Sequence, residues 1–168
     1  PKTDDGERVV HSTGATNGDN DGEFWTVTTS DGTQYVFGKN RLPGWATGNP
    51  VTNSVDTVPV FGDDSLEPGY DQGTSFSGRA LTQGWRWNLD YVVDPHGNAM
   101  SYWYTKETNY YAKNGTTTGN GTVYDRASYL RRIDYGITSS TLFGTAPEQA
   151  SFTPPQPRLG TRSETCPS

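Results

Sequence analysis

Two stretches of the chain place β-branched and aromatic residues on either side of a glycine-containing turn. The first, FWTVTTSDGTQYVFG at residues 24–38, flanks Asp31 and Gly32, and the second, WRWNLDYVVDPHGNAMSYWYT at residues 85–105, flanks DPHGN. Glycine accepts the positive φ that a strand-matching turn needs, so such a pattern is a strong hairpin signal. The sequence therefore predicts two antiparallel β-hairpins.

The second turn can be interpreted in two ways. Pro95 pre-sets its own φ, Gly97 or Asn98 can adopt the left-handed conformation, and Asp94 can accept backbone hydrogen bonds. Alternatively, His96 is a catalytic histidine between aspartates. We favour the turn, because a histidine inside a Pro-His-Gly turn is expected to be exposed and every residue type there has a conformational role.

The remaining sequence supports an all-β fold of antiparallel hairpins or a meander with long irregular loops. Glycine and proline number 20 and 11 among 168 residues, and both interrupt helices. Within a β-rich segment covering residues 1–143, ERVVH is a short-strand candidate and residues 124–137 alternate as a strand. Residues 39–84 are predicted to be irregular, except that DTVPVFG is a candidate edge strand because of its proline.

The C-terminal segment differs from the rest of the chain. Residues 144–168 contain five prolines and no periodic pattern. We expect a disordered tail there, with a single helical turn near residues 147–150 as the one helical candidate.

Charge and cysteine content limit which partners the chain can bind and which cross-links it can form. A formal charge of −6 argues against nucleic-acid binding, and no apolar run is long enough to span a membrane. Cys166 is the only cysteine, so an internal disulfide cannot form. The first residues, PKTDDGERVV, do not resemble a signal peptide. We therefore expect a piece of a longer product whose export signal lies elsewhere.

The residues that could support catalysis form no recognisable set. Neither histidine, His11 or His96, belongs to a nucleophile motif, and zinc or phosphate motifs are missing. The carboxylates that could pair as in a glycosidase lie in loops or beside a strand: Asp63, Asp64, Glu67, Asp90 and Asp94. We expect no enzyme and no cofactor; a hydrolase in which Asp94 and His96 meet another acid is the enzymatic alternative.

One loop partly matches a calcium-binding pattern. Asn17, Asp19 and Asp21 occupy the first, third and fifth positions of an EF-hand-like loop, and Gly22 the sixth. Thr28 stands where the bidentate acid is expected, and a strand rather than a helix follows. A surface cation site is the functional interpretation, but a Gly-Asp-Asn turn explains the pattern better.

Three motifs carry a resemblance to a known family of repeat proteins. Asp94, Gly97 and Asn98 match a D-x-x-G-N turn, and Tyr102-Trp103-Tyr104 match the tyrosine-bearing strand that follows it. Tyr124-Asp125, followed by YLRRI, is similar to the start of a YD repeat, although ASY replaces the usual Gly-Arg. The resemblance covers roughly residues 4–145 and is to the region at or just before the start of the repeats in large actinobacterial RHS-repeat proteins.

This resemblance implies a structural function. In RHS and YD proteins, many hairpins form a hollow shell around a C-terminal toxin or effector domain. The chain would then contribute wall hairpins to a secreted or cell-surface polymorphic toxin, with the rest of the shell and its effector as partners. Two departures stand out: the loop at residues 66–84 lacks the cysteines of some relatives, and the tail does not continue the repeats.

A second interpretation is a small β-module that binds glycans or surfaces. Tryptophan and tyrosine rings suit sugar faces, although they also serve as core residues in β-proteins. This interpretation requires several exposed rings to line one groove, and the candidates are Trp25, Trp45, Trp85 and Trp103.

Overall fold

The computed structural model describes residues 6–112, 121–143 and 148–153, and in these ranges the chain is all-β, as predicted. The described residues contain nine strands and two 3₁₀ helices, Tyr70–Gln72 and Phe76–Gly78, which lie between the fourth and fifth strands. The strands are β1 (Arg8–Ser12), β2 (Phe24–Thr28), β3 (Gln34–Phe37), β4 (Val55–Phe61), β5 (Ala80–Trp87), β6 (Leu89–Val93), β7 (Asn98–Tyr111), β8 (Thr122–Thr138) and β9 (Glu148–Ser151).

The strands form one large and one small antiparallel sheet. The large sheet has the order β1-β2-β3-β6-β7-β8-β9, and the small sheet contains β4 and β5. Each strand of the large sheet pairs with the next one of that sheet along the chain. The large sheet is therefore a meander, and the small sheet is an insertion between β3 and β6.

The two predicted hairpins correspond to β2–β3 and β6–β7, with one correction. Residues 85–87, assigned to the first arm of the second hairpin, belong to β5 and pair with β4 in the small sheet. Asn88 separates β5 from β6. Alternation continues across this residue in the sequence, so the local pattern does not show that the chain changes sheets there.

Two other segments are more ordered than the sequence indicates. The strand expected at residues 124–137 extends to Thr122–Thr138. The region of residues 39–84, expected to be irregular around one edge strand, contains β4, the two 3₁₀ helices and the start of β5. Pro59 lies opposite Thr82 in β4–β5, and a two-stranded sheet leaves its other side free of ladder bonds, as a proline requires.

Strand β9 lies inside the segment predicted to be disordered. It pairs with β8 from Arg132 opposite Ser151 to Tyr135 opposite Glu148, so both the tail and the helical turn are wrong for residues 148–151. Residues 148–151 show no strand-like alternation in the sequence. They form a strand because the edge of β8 supplies their hydrogen bonds. The five prolines of this segment, at positions 147, 154, 155, 157 and 167, lie outside the described residues.

The two faces of the large sheet differ in burial. One face carries the main core cluster, and Leu42 and Leu142 cover it from loops. The strand residues of this cluster are Val36, Tyr91, Ala99, Trp103 and Ile137.

On the opposite face, an apolar row crosses five strands in register. Its end members are exposed, Val9 by 60% and Met100 by 39%, and its inner members are half-buried. Val27, Tyr35 and Val92 are these inner members.

Candidate functional site

The small sheet meets the long β7–β8 hairpin at a cluster of charged and hydroxyl side chains, which we call the sheet junction. It is formed by Asp56 and Thr57 of β4, Lys106 of β7, and Asp125 and Ser128 of β8. The register of the hairpin places Lys106 opposite Ser128. Facing residues of paired strands project from the same face of the sheet, so this register places the two side chains on the face that meets the small sheet.

Asp125 is the centre of the sheet junction. Its Oδ2 accepts hydrogen bonds from the backbone N–H of Thr57 at 2.8 Å and from the Thr57 hydroxyl at 3.0 Å. Lys106 Nζ donates to the same oxygen at 2.7 Å. One carboxylate oxygen therefore links three strands.

Asp56 is completely buried beside this network. Its Oδ2 accepts a hydrogen bond from the Ser128 hydroxyl at 2.9 Å and lies 3.9 Å from the Arg86 guanidinium. Its Oδ1 accepts no hydrogen bond from any described residue. Burial raises the pKa of Asp56, although Ser128 and the positive charges of Lys106 and Arg86 oppose the shift.

Asn88 joins the two sheets at one end of the sheet junction. Its backbone N–H and side-chain amide both donate to the carbonyl of Ser54, at 2.6 and 3.1 Å. The amide also donates to Ser128 Oγ at 2.8 Å, and the Asn88 carbonyl accepts from the N–H of Gly38. Because Asn88 bonds to residues of both sheets, β5 ends and β6 begins at this residue.

A shallow groove of about 280 Å³ borders the sheet junction. Trp85 is 44% exposed in it and donates its indole N–H to the carbonyl of Asp125 at 3.2 Å. The other lining residues are Val58, Tyr124 and Arg126. This groove combines an exposed indole, a phenol and a guanidinium.

A second buried carboxylate, Asp90, anchors the loop of residues 39–54. The backbone amides of Lys39 and Asn40 donate to it at 2.5 and 3.0 Å, and the Thr52 hydroxyl makes a short hydrogen bond to it. Burial dominates the electrostatics and raises the pKa of Asp90 to about 6.

The predicted turn residues of the second hairpin act as a unit. Asp94 Oδ1 accepts from the backbone amides of His96 and Asn98, and Oδ2 accepts from the Asn98 side chain. These bonds, led by that of the Asn98 side chain, lower the pKa of Asp94. Gly97 has φ of 83° and donates its N–H to the Asp94 carbonyl.

The turn of the first hairpin is built in a similar way. Asp31 accepts hydrogen bonds from the Thr29 hydroxyl and from the N–H and hydroxyl of Thr33. Gly32 has φ of 87°, and a Cβ built there would lie 3.1 Å from the ring of Pro95. The two turns therefore lie side by side.

The three predicted repeat tyrosines occupy different places. Tyr104 is half-buried and donates its hydroxyl to the carbonyl of Leu89 at 2.9 Å, which ties β7 to β6. Tyr102 is half-buried too, and Tyr124 makes an edge-on ring contact with Tyr111 at 6.1 Å. In the Tyr124-Asp125 motif, Tyr124 contacts the paired strand β7, whereas Asp125 also bonds to β4 of the small sheet.

Two members of the predicted cation set are occupied by structural hydrogen bonds. Asn17 donates to the carbonyls of Glu23 and Gly38, both at 2.7 Å. Asp19 accepts from the N–H of Glu23 at 3.0 Å and of Gly84 at 2.6 Å. Asn17 and Asp19 are buried, and their hydrogen bonds attach the loop to the neighbouring strands.

The carboxylates of Asp19, Asp21 and Glu23 do come close together. Burial opposes ionisation of Asp19, but hydrogen bonds from Asp21 and from backbone amides outweigh it and lower the pKa of Asp19. The same carboxyl–carboxyl hydrogen bond raises the pKa of Asp21. The two acids can therefore share a proton.

The candidate catalytic residues differ in burial and in their hydrogen-bond partners. The side chain of His96 is 86% exposed, with Nδ1 4.0 Å from Asp94. Asp90 is buried under its loop, whereas Asp63, Asp64 and Glu67 form an exposed group in which Glu67 accepts from two backbone amides. His11 pairs with Glu23 at 3.0 Å on the surface.

The four tryptophans of the glycan interpretation do not share one environment. Trp103 belongs to the core, and Trp25 packs beside His11 with ring centroids 4.6 Å apart. Trp45 lies in a loop under the Arg41 guanidinium, 3.9 Å from its ring centroid. Of the four, only Trp85 lines the groove beside the sheet junction.

No sequence motif predicts the sheet junction. Asp56 was present as an acid inside the apolar run VDTVPVF, which is a signal for a buried, partnered carboxylate. Lys106, Ser128 and Asn88 carried no local signal, because their partners lie between 19 and 72 residues away.

In the described part of the chain, no helix has the length and apolar character needed to cross a bilayer. A scan against protein-family models, a search of curated proteins and a search of solved structures each returned no match. The RHS/YD resemblance therefore stands on the residue motifs alone.

Proposed function

We propose that this chain is a non-catalytic wall segment of an RHS/YD-type shell, secreted or displayed on a cell surface as part of a longer protein. The observation that carries the proposal is the meander order of the large sheet, which ends on both sides in strands that pair with one neighbour each among the described residues. Such edges can accept further strands. A shell built from successive hairpins needs that continuity.

The unequal burial of the sheet faces also supports this function. Two loops complete the core on one face, whereas the row from Val9 to Met100 on the other face is only partly covered. Exposed apolar surface of this kind marks an interaction site. In the proposed shell, neighbouring wall segments or the enclosed effector would cover it.

The test is the coding sequence on either side of this segment, followed by proteolysis of the full product. We expect adjacent Y-D-x-x-G-R-L repeats and a C-terminal effector domain that resists protease only while the shell is intact. A reading frame that starts and stops at this segment, with no repeats nearby, would refute the proposal.

The groove at Trp85 favours one alternative, a glycan-binding module. Its exposed indole, with Tyr124 and Arg126 beside it, offers a stacking surface and a hydrogen-bond donor to a sugar. Titration of the chain with a panel of oligosaccharides should then shift the tryptophan fluorescence, and Trp85→Ala should abolish the shift. A response that survives Trp85→Ala would exclude this groove as the sugar site.

A further inference from the structure

The ion pair at the sheet junction has the geometry of two groups that can react. Lys106 Nζ lies 2.7 Å from Asp125 Oδ2, and the two side chains are 24% and 8% exposed. A nitrogen in hydrogen-bond contact with a carboxyl oxygen is also close to the carbon of that carboxyl, near the separation from which attack begins. Lys106 and Asp125 lie on neighbouring strands, which hold them in this arrangement.

The surroundings of Asp125 would stabilise an addition intermediate. The backbone N–H and the hydroxyl of Thr57 both donate to Oδ2, at 2.8 and 3.0 Å. If the amine adds to the carboxyl carbon, negative charge develops on this oxygen, and pre-oriented donors of this kind stabilise it. Thr57 would therefore bind the oxyanion in such an addition.

A buried acid adjoins the pair. Asp56 precedes Thr57 in β4, is completely buried, and interacts electrostatically with both Lys106 and Asp125. Its Oδ1 accepts no hydrogen bond from the described residues. Burial also raises the pKa of Asp56, so that it keeps a proton at a higher pH than an exposed aspartate does. Such a carboxyl can donate and accept protons during a reaction.

We propose that Lys106 and Asp125 condense into an intramolecular isopeptide bond, with Asp56 as the acid–base group. The ammonium of Lys106 first gives up a proton that ends on Oδ1 of Asp125, which leaves a neutral amine and a carboxylic acid whose unprotonated Oδ2 still accepts from Thr57. The amine then attacks Cγ, a C–N bond forms, and the C–O bond to Oδ1 breaks. Asp56 protonates the departing hydroxyl and takes a proton from the nitrogen, so one water leaves and Asp56 is regenerated.

The bond would covalently join β7 to β8 and keep β4 attached through Thr57. The chain has one cysteine and cannot staple itself with an internal disulfide. An isopeptide bond would provide a cross-link that reductants do not open. This inference is independent of the proposed shell function.

The experiment is the intact mass of the purified full chain, measured under denaturing and reducing conditions after prolonged incubation of the folded protein. We expect a mass lower than that calculated from the sequence by one water, and a proteolytic fragment in which the peptides of Lys106 and Asp125 remain joined. The full calculated mass in the wild-type chain would overturn the proposal.

Variants separate the reaction from a simple ion pair. Lys106→Arg keeps the charge and should have the full calculated mass, whereas Asp125→Asn should still react and lose ammonia instead of water. Asp56→Asn should slow bond formation by about 100-fold, the usual scale of general acid–base catalysis. Equal rates with and without Asp56 would overturn its role.

The chain offers a matched control. Arg126 and Glu107 form an ion pair of 3.2 Å between the same two strands, but their side chains are 60% and 35% exposed. Arg126→Lys creates a second lysine–carboxylate pair, in which Glu107 accepts from the Tyr129 hydroxyl at 2.6 Å but from no backbone amide of a packed strand among the described residues. We expect no additional loss of water in this variant. A second loss would show that proximity alone drives the reaction and would overturn the role of the site.

Discussion

The hydroxyl of Thr52 donates a hydrogen bond to the carboxylate of Asp90, across a separation of 38 residues in the sequence. The backbone amides of Lys39 and Asn40 donate to the same carboxylate. Asp90 therefore fastens both ends of the loop of residues 39–54 to β6. This loop carries Leu42 into the core, so the anchor contributes to core packing.

The first prediction concerns the pH dependence of stability. The pKa of Asp90 is about 6 in the folded chain, against an ordinary value of 3.8. Between these values the folded chain holds a proton that the unfolded chain releases, so this group makes stability fall as pH rises. We expect a loss of about 2 kcal/mol between pH 4 and pH 7 from Asp90 alone.

Chemical denaturation of the wild-type chain and Asp90→Asn across this range measures the effect. The variant should be less stable overall, because an amide cannot accept all the hydrogen bonds of Asp90, but the pH-dependent loss should be missing. The contributions of other carboxyls cancel in the comparison. Parallel stability curves for the two proteins would contradict the assignment.

The second prediction concerns the turn of the β6–β7 hairpin. His96 is exposed, its hydrogen bond in the turn comes from its backbone N–H, and its ring nitrogen lies 4.0 Å from Asp94 in an exposed pair, so His96→Asn should change the free energy of unfolding by no more than about 0.5 kcal/mol. Gly97 has φ of 83°, which a β-branched residue rarely adopts, so Gly97→Val should cost at least about 1 kcal/mol. Thermal melts that coincide for the two variants would argue against this turn.

The third prediction distinguishes a structural loop from a cation site at residues 17–21. Asn17 is buried and donates to two carbonyls, so Asn17→Ala should destabilise the chain by about 2 kcal/mol in the absence of metal. Asp21 is exposed, and Asp21→Ala should have little effect. Urea unfolding with chelator and with calcium gives the comparison. A stability gain with calcium that disappears in Asp21→Ala would favour the cation site instead.

The fourth prediction concerns the connection between the sheets. The side-chain amide of Asn88 donates to the Ser54 carbonyl and to Ser128 Oγ. Asn88→Ala leaves these buried groups with fewer partners and should cost about 1–3 kcal/mol. Asn109→Ala is a suitable control, because Asn109 is an exposed strand residue whose side chain, among the described residues, accepts from the next backbone amide. Equal unfolding midpoints for the two variants would show that Asn88 does not stabilise the junction.

The sequence predicts most of the local structure for a simple physical reason. The turns at Asp31-Gly32 and Asp94–Asn98 depend on residue types whose conformational preferences act within four or five residues. Period-two alternation likewise marks β8 without knowledge of its neighbours. These features can be predicted from the sequence because the interactions that form them are local.

The contacts of the candidate site could not be predicted from local sequence patterns. Asp125 was identified as part of a Tyr-Asp motif, but its partners Thr57 and Lys106 lie 68 and 19 residues away. Asp90 was considered a carboxylate for catalysis, whereas its buried position under a distant loop makes it an anchor. Strand β9 was missed because its hydrogen bonds come from the edge of β8.

An all-β fold, the positions of the hairpin turns and the lack of an internal disulfide follow from the residue types alone. That the chain changes sheets at Asn88, and that Asp56, Lys106 and Asp125 meet, depends on how the strands pack in the folded chain. The two kinds of feature differ in the sequence separation over which the interactions act. Turn formation and strand propensity act between near neighbours, whereas burial of a carboxylate depends on which remote strands pack over it, and that packing is a property of the whole fold.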